Sequence, residues 1–421
     1  METAMDEVLE VLYTRCCGLD VHKKTVVASV IITPPQGRVQ KHLHTFSTTT
    51  TGLLALLDWL GAFQVSHVAI ESTGIYWRPI FNLLEGECEV ILVNAQHMKA
   101  VPGRKTDVKD SEWLASLLRQ GLLQASFIPP KAIRDVRDMV RYRKRLVSQR
   151  TQEINRIQKV LETANIKLAS VASDVVGVSG RLMLQALIDG KADATALAEL
   201  ARGTLRRKLP QLQEALEGRV DDHHRCLLKH LLAHIDWLEK ALEQLQREIE
   251  KQLSSYQKAL DLLMSIPGLK LLSALTILSE IGDDMSRFPS AKHLASWAGV
   301  CPGNKQSGGK RMSGKTTKGN AHLQAALAEV VWVISHTNDN YLSAQYHRLA
   351  KRIGKAKAVV AVSHSLLVII YHVLRDNKPY QELGADYFDH LDTQRIANQS
   401  VKRLEALGFH VTLEPQKEVT A

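Results

Sequence analysis

Gly18-Leu19-Asp20-Val21-His22-Lys23-Lys24 runs directly into Thr25-Val26-Val27-Ala28-Ser29-Val30-Ile31-Ile32, and this junction decides the reading of the first third of the chain. Thr25–Ile32 is β-branched and apolar, which predicts a strand with Asp20 at its head. Pro34-Pro35-Gln36-Gly37 marks a turn, and a second strand is expected from Gly37-Arg38 to Phe46. Thr51–Phe63 has leucines at helical spacing. A short strand follows at His67–Ile70, ending at Glu71. Ile75–Leu84 reads as a helix, Val90–Val93 as a strand, and Asp107–Gln120 as a helix with Trp113, Leu114, Leu117 and Leu118 as its buried stripe. A strand hairpin followed by alternating helices and strands predicts an α/β domain over residues 14–130, a mixed sheet covered by helices.

From Lys131 the character changes. The next thirty residues hold ten Lys or Arg and three acids, without Gly or Pro. One long basic helix is expected, continuing to about Ala164, and its basic face, with Arg141, Arg143, Lys144 and Arg145, is a candidate nucleic-acid surface. Residues 211–260 carry Leu227, Leu228, Leu231, Ile235, Leu238, Leu242, Leu245 and Ile249 at 3-4 spacing. This predicts a coiled-coil hairpin or bundle over 131–260, with dimerisation as its main role. Residues 261–375 read as a mostly α C-terminal domain, in which Ser265-Ile266-Pro267-Gly268-Leu269 before Leu271–Ile281 has helix-hairpin-helix character. A glycine turn of that kind brings backbone amides to a DNA phosphate, although a Pro-Gly turn is also ordinary loop chemistry. The segment 376–421 is a polar tail from which no fold is read.

The chain has 421 residues, too many for one ordinary core, and a formal charge of +10, which favours a polyanionic partner through counterion release. Its five cysteines are irregularly spaced, without a CxxC pair, so neither a disulfide framework nor a zinc knuckle is indicated and a cytoplasmic setting is expected. The apolar run Ala358–Leu374 is broken by Ser363, His364, Ser365 and His372, and it is short for a membrane span; a buried helix and no membrane partner are expected.

Four carboxylates stand out by position. Asp20 lies at a strand head, Glu71 at a strand end, and Asp107 and Asp110 at a helix start, where a spacing of three puts both on one face. Strand ends and a helix start can converge at one sheet edge. A hard cation such as Mg²⁺ needs oxygen ligands of this kind. Taken singly, Asp107 or Asp110 reads better as a helix cap. Lys99, Arg104, Lys105 and Lys109 crowd the last two acids, a mixture suited to metal and phosphate together.

Residues 299–320 contain five cations, Lys305, Lys310, Arg311, Lys315 and Lys318, and no acid. Ser307 lies between Gln306 and two glycines, so its hydroxyl would be accessible. A serine that attacks a phosphodiester needs that access, together with cations for the developing charge. A flexible basic loop that only grips DNA has the same composition. The GxxxxGK[ST] pattern of a P-loop is absent.

Together these segments resemble the DEDD-type transposases of insertion sequences. The resemblance runs from about Cys17 to Leu374. It is carried by Gly18-Leu-Asp-Val-His-Lys23, Ile70-Glu-Ser-Thr-Gly-Ile-Tyr-Trp77, Val93-Asn-Ala-Gln96 and Thr106-Asp-Val-Lys-Asp110. Further on it is carried by Ile266-Pro-Gly268, Ala295-Ser-Trp-Ala-Gly-Val-Cys-Pro302, Gln306-Ser-Gly-Gly-Lys310 and Thr317-Lys-Gly-Asn320. It implies a RuvC-like, RNase H-fold first domain whose Mg²⁺ tetrad is Asp20, Glu71, Asp107 and Asp110. It implies a C-terminal transposase domain with a nucleophilic serine, mapped to Ser307 with Ser313 as the fallback. Donor and target double-stranded DNA, a noncoding bridge RNA that pairs with both, and a homo-oligomer, dimer or tetramer, are the implied partners. Two rival functions stay open at this level: a structure-selective, metal-dependent nuclease without a covalent intermediate, and a non-enzymatic nucleic-acid-binding assembly protein.

Overall fold

The computed structural model describes residues 11–72, 74–93, 110–191, 193–303, 305–308, 310–391 and 393–413; at 305–307, 311–313 and 394–396 it describes the backbone alone. The chain divides into two units, residues 1–131 and 132–421.

In the first unit, β1 (Arg15–Val21), β2 (Thr25–Ile32), β3 (Gln40–Ser47), β4 (His67–Glu71) and β5 (Glu89–Val93) form one sheet in the order β3-β2-β1-β4-β5. The β1–β2 and β2–β3 pairs are antiparallel, and the β1–β4 and β4–β5 pairs are parallel. The mixed sheet is therefore as expected, and its order is compatible with an RNase H-like arrangement. Helices α1 (Thr50–Ala62), α2 (Trp77–Leu84) and α3 (Asp110–Arg119) cover it. Strand alternation sorts the side chains between two layers. Cys17, Leu19, Val26, Ala28, Val68 and Ile70 meet Leu53, Leu56, Leu60, Ile80 and Leu84 of α1 and α2. Cys16, Ile31, Ala69, Ile91 and Val93 meet Leu114, Ala115 and Leu118 of α3.

Asp20 is not at the head of Thr25–Ile32. It lies one residue from the end of a strand of its own, β1, and faces Val27 across a tight turn. Cys16, Cys17, Gly18 and Leu19 are all buried, because β1 is covered on both faces. Such a strand has no polar alternation for a period-two pattern to reveal.

In the second unit, α4 (Lys131–Thr163) and α9 (Asp222–Gln252) are long helices that run antiparallel, as Arg150–Glu239 (2.8 Å) and Glu153–His234 (3.4 Å) show. The coiled-coil hairpin is thus formed within one chain. Between its arms lie α5 (Leu168–Val171), α6 (Val178–Ile188), α7 (Ala194–Ala198), a 3₁₀ turn (Gly203–Lys208) and α8 (Leu209–Leu216). These share a core with Ile157 and Leu161 of α4 and Leu228, Leu232 and Ile235 of α9, so the hairpin carries a small helical cap.

The remainder comprises α10 (Gln257–Met264), α11 (Leu271–Ile281), α12 (Ala291–Ala298), the strands β6 (Lys305–Ser307) and β7 (Lys310–Ser313), then α13 (Ala321–Ile334), α14 (Tyr341–Ile353), α15 (Lys355–Asp376), α16 (Tyr387–His390) and α17 (Thr393–Ala406). Helix α15 is long and apolar enough to cross a membrane by length and composition. Its Ala358, Val362, Leu366, Leu367 and Ile370 are nevertheless fully buried in this unit, as a core helix requires. Part of the segment beyond Asp376 is helical, and the Tyr387 and Phe388 rings lie 5.1 and 5.2 Å from that of Tyr341. The four aromatics of this segment, Tyr380, Tyr387, Phe388 and Phe409, fall at no regular period and give no signal for this.

Candidate functional site

Parallel pairing of β1 with β4 sets Leu19 opposite Ile70, so the next residues, Asp20 and Glu71, are neighbours at the carboxyl ends of adjacent strands. By alternation both point to the α3 layer, since Leu19 and Ile70 belong to the opposite one. Helix α3 starts at Asp110 on that same layer. Gly18, two residues before Asp20 on this face, is pressed by the first turns of α3: a Cβ there would stand 2.2 Å from the Ser111 carbonyl oxygen and 2.5 Å from the Ala115 nitrogen. Asp20, Glu71 and the start of α3 at Asp110 thus lie on one layer, at the carboxyl ends of β1 and β4. Asp20 is partly exposed, and its Oδ2 lies 3.2 Å from His22 Nε2. Asp107, Lys105 and Lys109 lie outside the described residues.

The glycine-rich segment is a hairpin rather than a plain loop. Strands β6 and β7 pair antiparallel, with Lys305 opposite Ser313 and Ser307 opposite Lys310. Ser307 is the last residue of β6, and the next residue, Gly308, has φ +55°. Two glycines between short strands suit a tight two-residue hairpin turn, and this was the available signal. Ser307 therefore stands at the tip of the hairpin and Ser313 at its root. The neck is closed by backbone contact: a Cβ on Gly319 would meet the Ala298 carbonyl and the Gly299 nitrogen at 2.4 Å, and one on Gly303 would meet the Lys315 oxygen at 2.3 Å. Gln324 Nε2 clasps the same neck, donating to the carbonyls of Ala298 (2.8 Å) and Gly299 (3.1 Å).

Residues 17–166 match the family model of the DEDD transposases of the IS110 type, described as a transposase, and residues 260–347 match the transposase IS116/IS110/IS902 family. The chain belongs to this transposase family. It is 24% identical over 334 residues to the uncharacterized 43.6 kDa protein of insertion element IS110 from Streptomyces coelicolor, covering 72% of this chain and 80% of that protein. It is 24% identical over 297 residues to the transposase for insertion sequence element IS1111A of Coxiella burnetii, covering 69% and 72%. To the pilin gene-inverting protein of Moraxella bovis it is 34% identical over 125 residues, 29% of this chain and 38% of that protein's length. The two family models leave residues 167–259 between them, the stretch that holds the helical cap and α9.

In this transposase family member the cations anticipated on α4 divide into two kinds. Arg141 is engaged: its Nε and Nη2 donate to the two carboxylate oxygens of Glu280, each at 2.8 Å. Lys144 pairs with Glu329 at 2.8 Å. Arg143 is half-buried, and desolvation, against the pull of Glu250, holds its pKa below the usual value. Arg145 is exposed. In the segment around the hairpin, Lys310, Lys315 and Lys318 are exposed, and Lys305 and Arg311 lie on its two strands.

The residues missed by inspection of the sequence are Glu280 and Asn320. Their signal was a single acid inside the apolar Leu271–Ile281 and an asparagine just before Ala321. A second group of possible metal ligands, Asp221, His223 and His224, brings ligand atoms within 4.8 Å at the start of α9. There His224 Nδ1 accepts from the Asp221 backbone nitrogen at 3.2 Å, one half of a capping box. Capping accounts for this group, and the positive end of the helix dipole opposes a cation there.

Proposed function

We propose that the chain is a DNA recombinase that cuts and rejoins strands of an insertion sequence through a phosphoserine intermediate. This reading is supported by the adjacent strand ends that carry Asp20 and Glu71 and by the start of α3 at Asp110 on the same layer, in a chain whose family is that of the transposases. The first unit is read as RNase H-like, of the RuvC kind, in keeping with its strand order.

The donor set fits a hard divalent cation: the groups are carboxylates, Asp20, Glu71 and Asp110 are on one layer, and in sequence Asp107 is three residues from Asp110. Asp20, Glu71, Asp107 and Asp110 would hold Mg²⁺, whose chemistry is to polarise the scissile phosphate and steady its charge. Ser307 is the proposed nucleophile. Its hydroxyl loses a proton and bonds to phosphorus, while the phosphodiester's leaving oxygen departs and takes a proton. A hydroxyl from a new strand then attacks the phosphoserine and returns the serine. The ester conserves the phosphodiester bond, so no nucleotide is consumed, consistent with a sequence without a P-loop. Lys305, Lys310, Arg311, Lys315 and Lys318 supply positive charge for the phosphate, and the α10–α11 turn at Gly268 is a further phosphate contact. The resemblance extends the proposal to a bridge RNA that pairs with donor and target DNA, to a tetramer, and to action in the cytoplasm.

Ser307→Ala tests the chemistry. The variant is expected to bind DNA as before and to form no protease-removable protein–DNA adduct. An adduct that survives in Ser307→Ala rejects the assignment, and metal-dependent strand cutting without any adduct supports the nuclease reading instead.

A further inference from the structure

Glu280 is fully buried near the carboxyl end of the apolar helix α11, where both desolvation and the helix dipole oppose its charge. It is held by three donors from two other helices. Arg141 of α4 makes the bidentate pair described above, and Arg137, one turn earlier, comes within 3.4 Å of Oε2. Arg137 also donates to the Ser279 carbonyl (3.0 Å) and the Glu280 carbonyl (2.7 Å), so it caps α11 from outside. The third donor is Asn320 Nδ2, 2.7 Å from Oε2. The opposite end of that amide is the N-cap of α13, where Oδ1 accepts from His322 N (3.1 Å) and Leu323 N (3.2 Å). One residue earlier is Gly319, the backbone clasp of the hairpin neck.

A carboxylate buried at this cost in a helix that could have been wholly apolar is weak evidence for stability and better evidence for a fixed geometry. Each contact of Asn320 constrains a different degree of freedom. The cap sets where α13 begins, the bond to Glu280 sets the position of residue 320 against α4 and α11, and the adjoining Gly319–Gly299 contact carries that position into the β6–β7 root. We propose that Glu280 is a positioning residue for the serine-bearing hairpin, acting through Asn320 and anchored by Arg137 and Arg141. It touches neither DNA nor metal. Its catalytic relevance rests on the reading of Ser307 given above, whereas its mechanical role does not.

Glu280→Gln would leave two arginines without their counter-charge and could fail to fold, so Asn320→Ser is the decisive variant. Serine keeps the N-cap acceptor, so α13 survives, and it removes the amide that reaches Glu280. Amide hydrogen exchange over 305–313 is expected to rise while exchange in α13 stays near wild type, and the thermal midpoint falls by the few degrees that one lost hydrogen bond to a charged group costs. Adduct formation at saturating DNA is expected to fall about tenfold, with half-saturating DNA unchanged. Asn320→Asp also keeps the cap, but it sets two carboxyls together. Its adduct rate relative to wild type should recover on acidification, as a protonated carboxyl becomes a donor to its neighbour. Hairpin exchange in Asn320→Ser equal to wild type overturns the proposal, as does raised exchange with an unaltered adduct rate. Raised exchange in a chain whose wild type forms no adduct upholds the positioning and removes the serine chemistry instead.

Discussion

Gly18 and Ser111 meet backbone to backbone: the space a side chain would need at 18 is filled by the Ser111 carbonyl oxygen, 2.2 Å from an ideal Cβ. Helix α3 therefore sits on β1 closer than any other residue would permit, and its first residue, Asp110, lies on the layer to which Asp20 and Glu71 point. Gly18→Ala cannot be absorbed by a rotamer change, because the atoms in the way are backbone. We expect a loss of about 1–3 kcal/mol from overpacking, read by denaturant unfolding, together with weaker divalent-cation binding in titration calorimetry. Wild-type cation affinity in Gly18→Ala would show that α3 does not set the spacing of the acids.

The placement of Asp20 and Glu71 at neighbouring strand ends predicts opposite effects of one change on stability and on activity. Like charges at one edge repel each other when no cation lies between them. Asp20→Asn and Glu71→Gln are each expected to leave the metal-free thermal midpoint equal or higher, and to abolish the rise that Mg²⁺ gives the wild type. Strand cleavage should fall by about 100-fold or more. Cleavage that survives in both variants would return Asp20 and Glu71 to the status of surface acids.

Much of this was legible because it depends on local pattern. The β-branched Thr25–Ile32, the leucine stripe of α1 and the glycine- and proline-free run of α4 all announce themselves within a window of ten or so residues. β1 did not, since a strand buried on both faces alternates in nothing. The neighbourly relation of Asp20 and Glu71 is fixed by the parallel register of β1 and β4, which no local pattern contains. Glu280 and Asn320 are forty residues apart, and their bond is a consequence of how α11, α13 and α4 pack. Only the oddity of an acid in an apolar helix hinted at it.

The buried carboxyl also predicts how the second unit responds to acid. Burial alone would raise the pKa of Glu280, but Arg141, Arg137 and Asn320 outweigh it and hold the carboxyl below its ordinary value. A group whose pKa is lower folded than unfolded contributes stability that is complete above the unfolded value, about 4.3 for glutamate, and fades as pH falls through the folded one. Glu280→Gln is expected to cost about 3–5 kcal/mol at neutral pH, because the arginines lose their partner. The difference from wild type should shrink below that unfolded value. Denaturant unfolding at neutral and acid pH measures both; a difference that stays constant with pH would mean that Glu280 is not the charged partner of Arg141.

The sorting of cations on α4 separates residues that hold the fold from those free to hold nucleic acid. Arg141 commits Nε and Nη2 to Glu280, and a guanidinium whose charge is already met by a bidentate carboxylate gains little from a DNA phosphate. Arg145 is one turn further along, exposed, and among the described residues has no acid within ion-pair distance. Arg145→Ala should therefore weaken nucleic-acid binding and lower the slope of log affinity against log salt by about 0.9, one phosphate contact, at unchanged stability. Arg141→Ala should do the reverse, lowering stability and leaving the salt slope alone. The comparison needs only binding at three or four salt concentrations alongside a melting curve for each variant. If both variants lower the slope equally, then the Glu280 pair opens on binding, and α4 presents to nucleic acid a face that the free protein keeps folded inward.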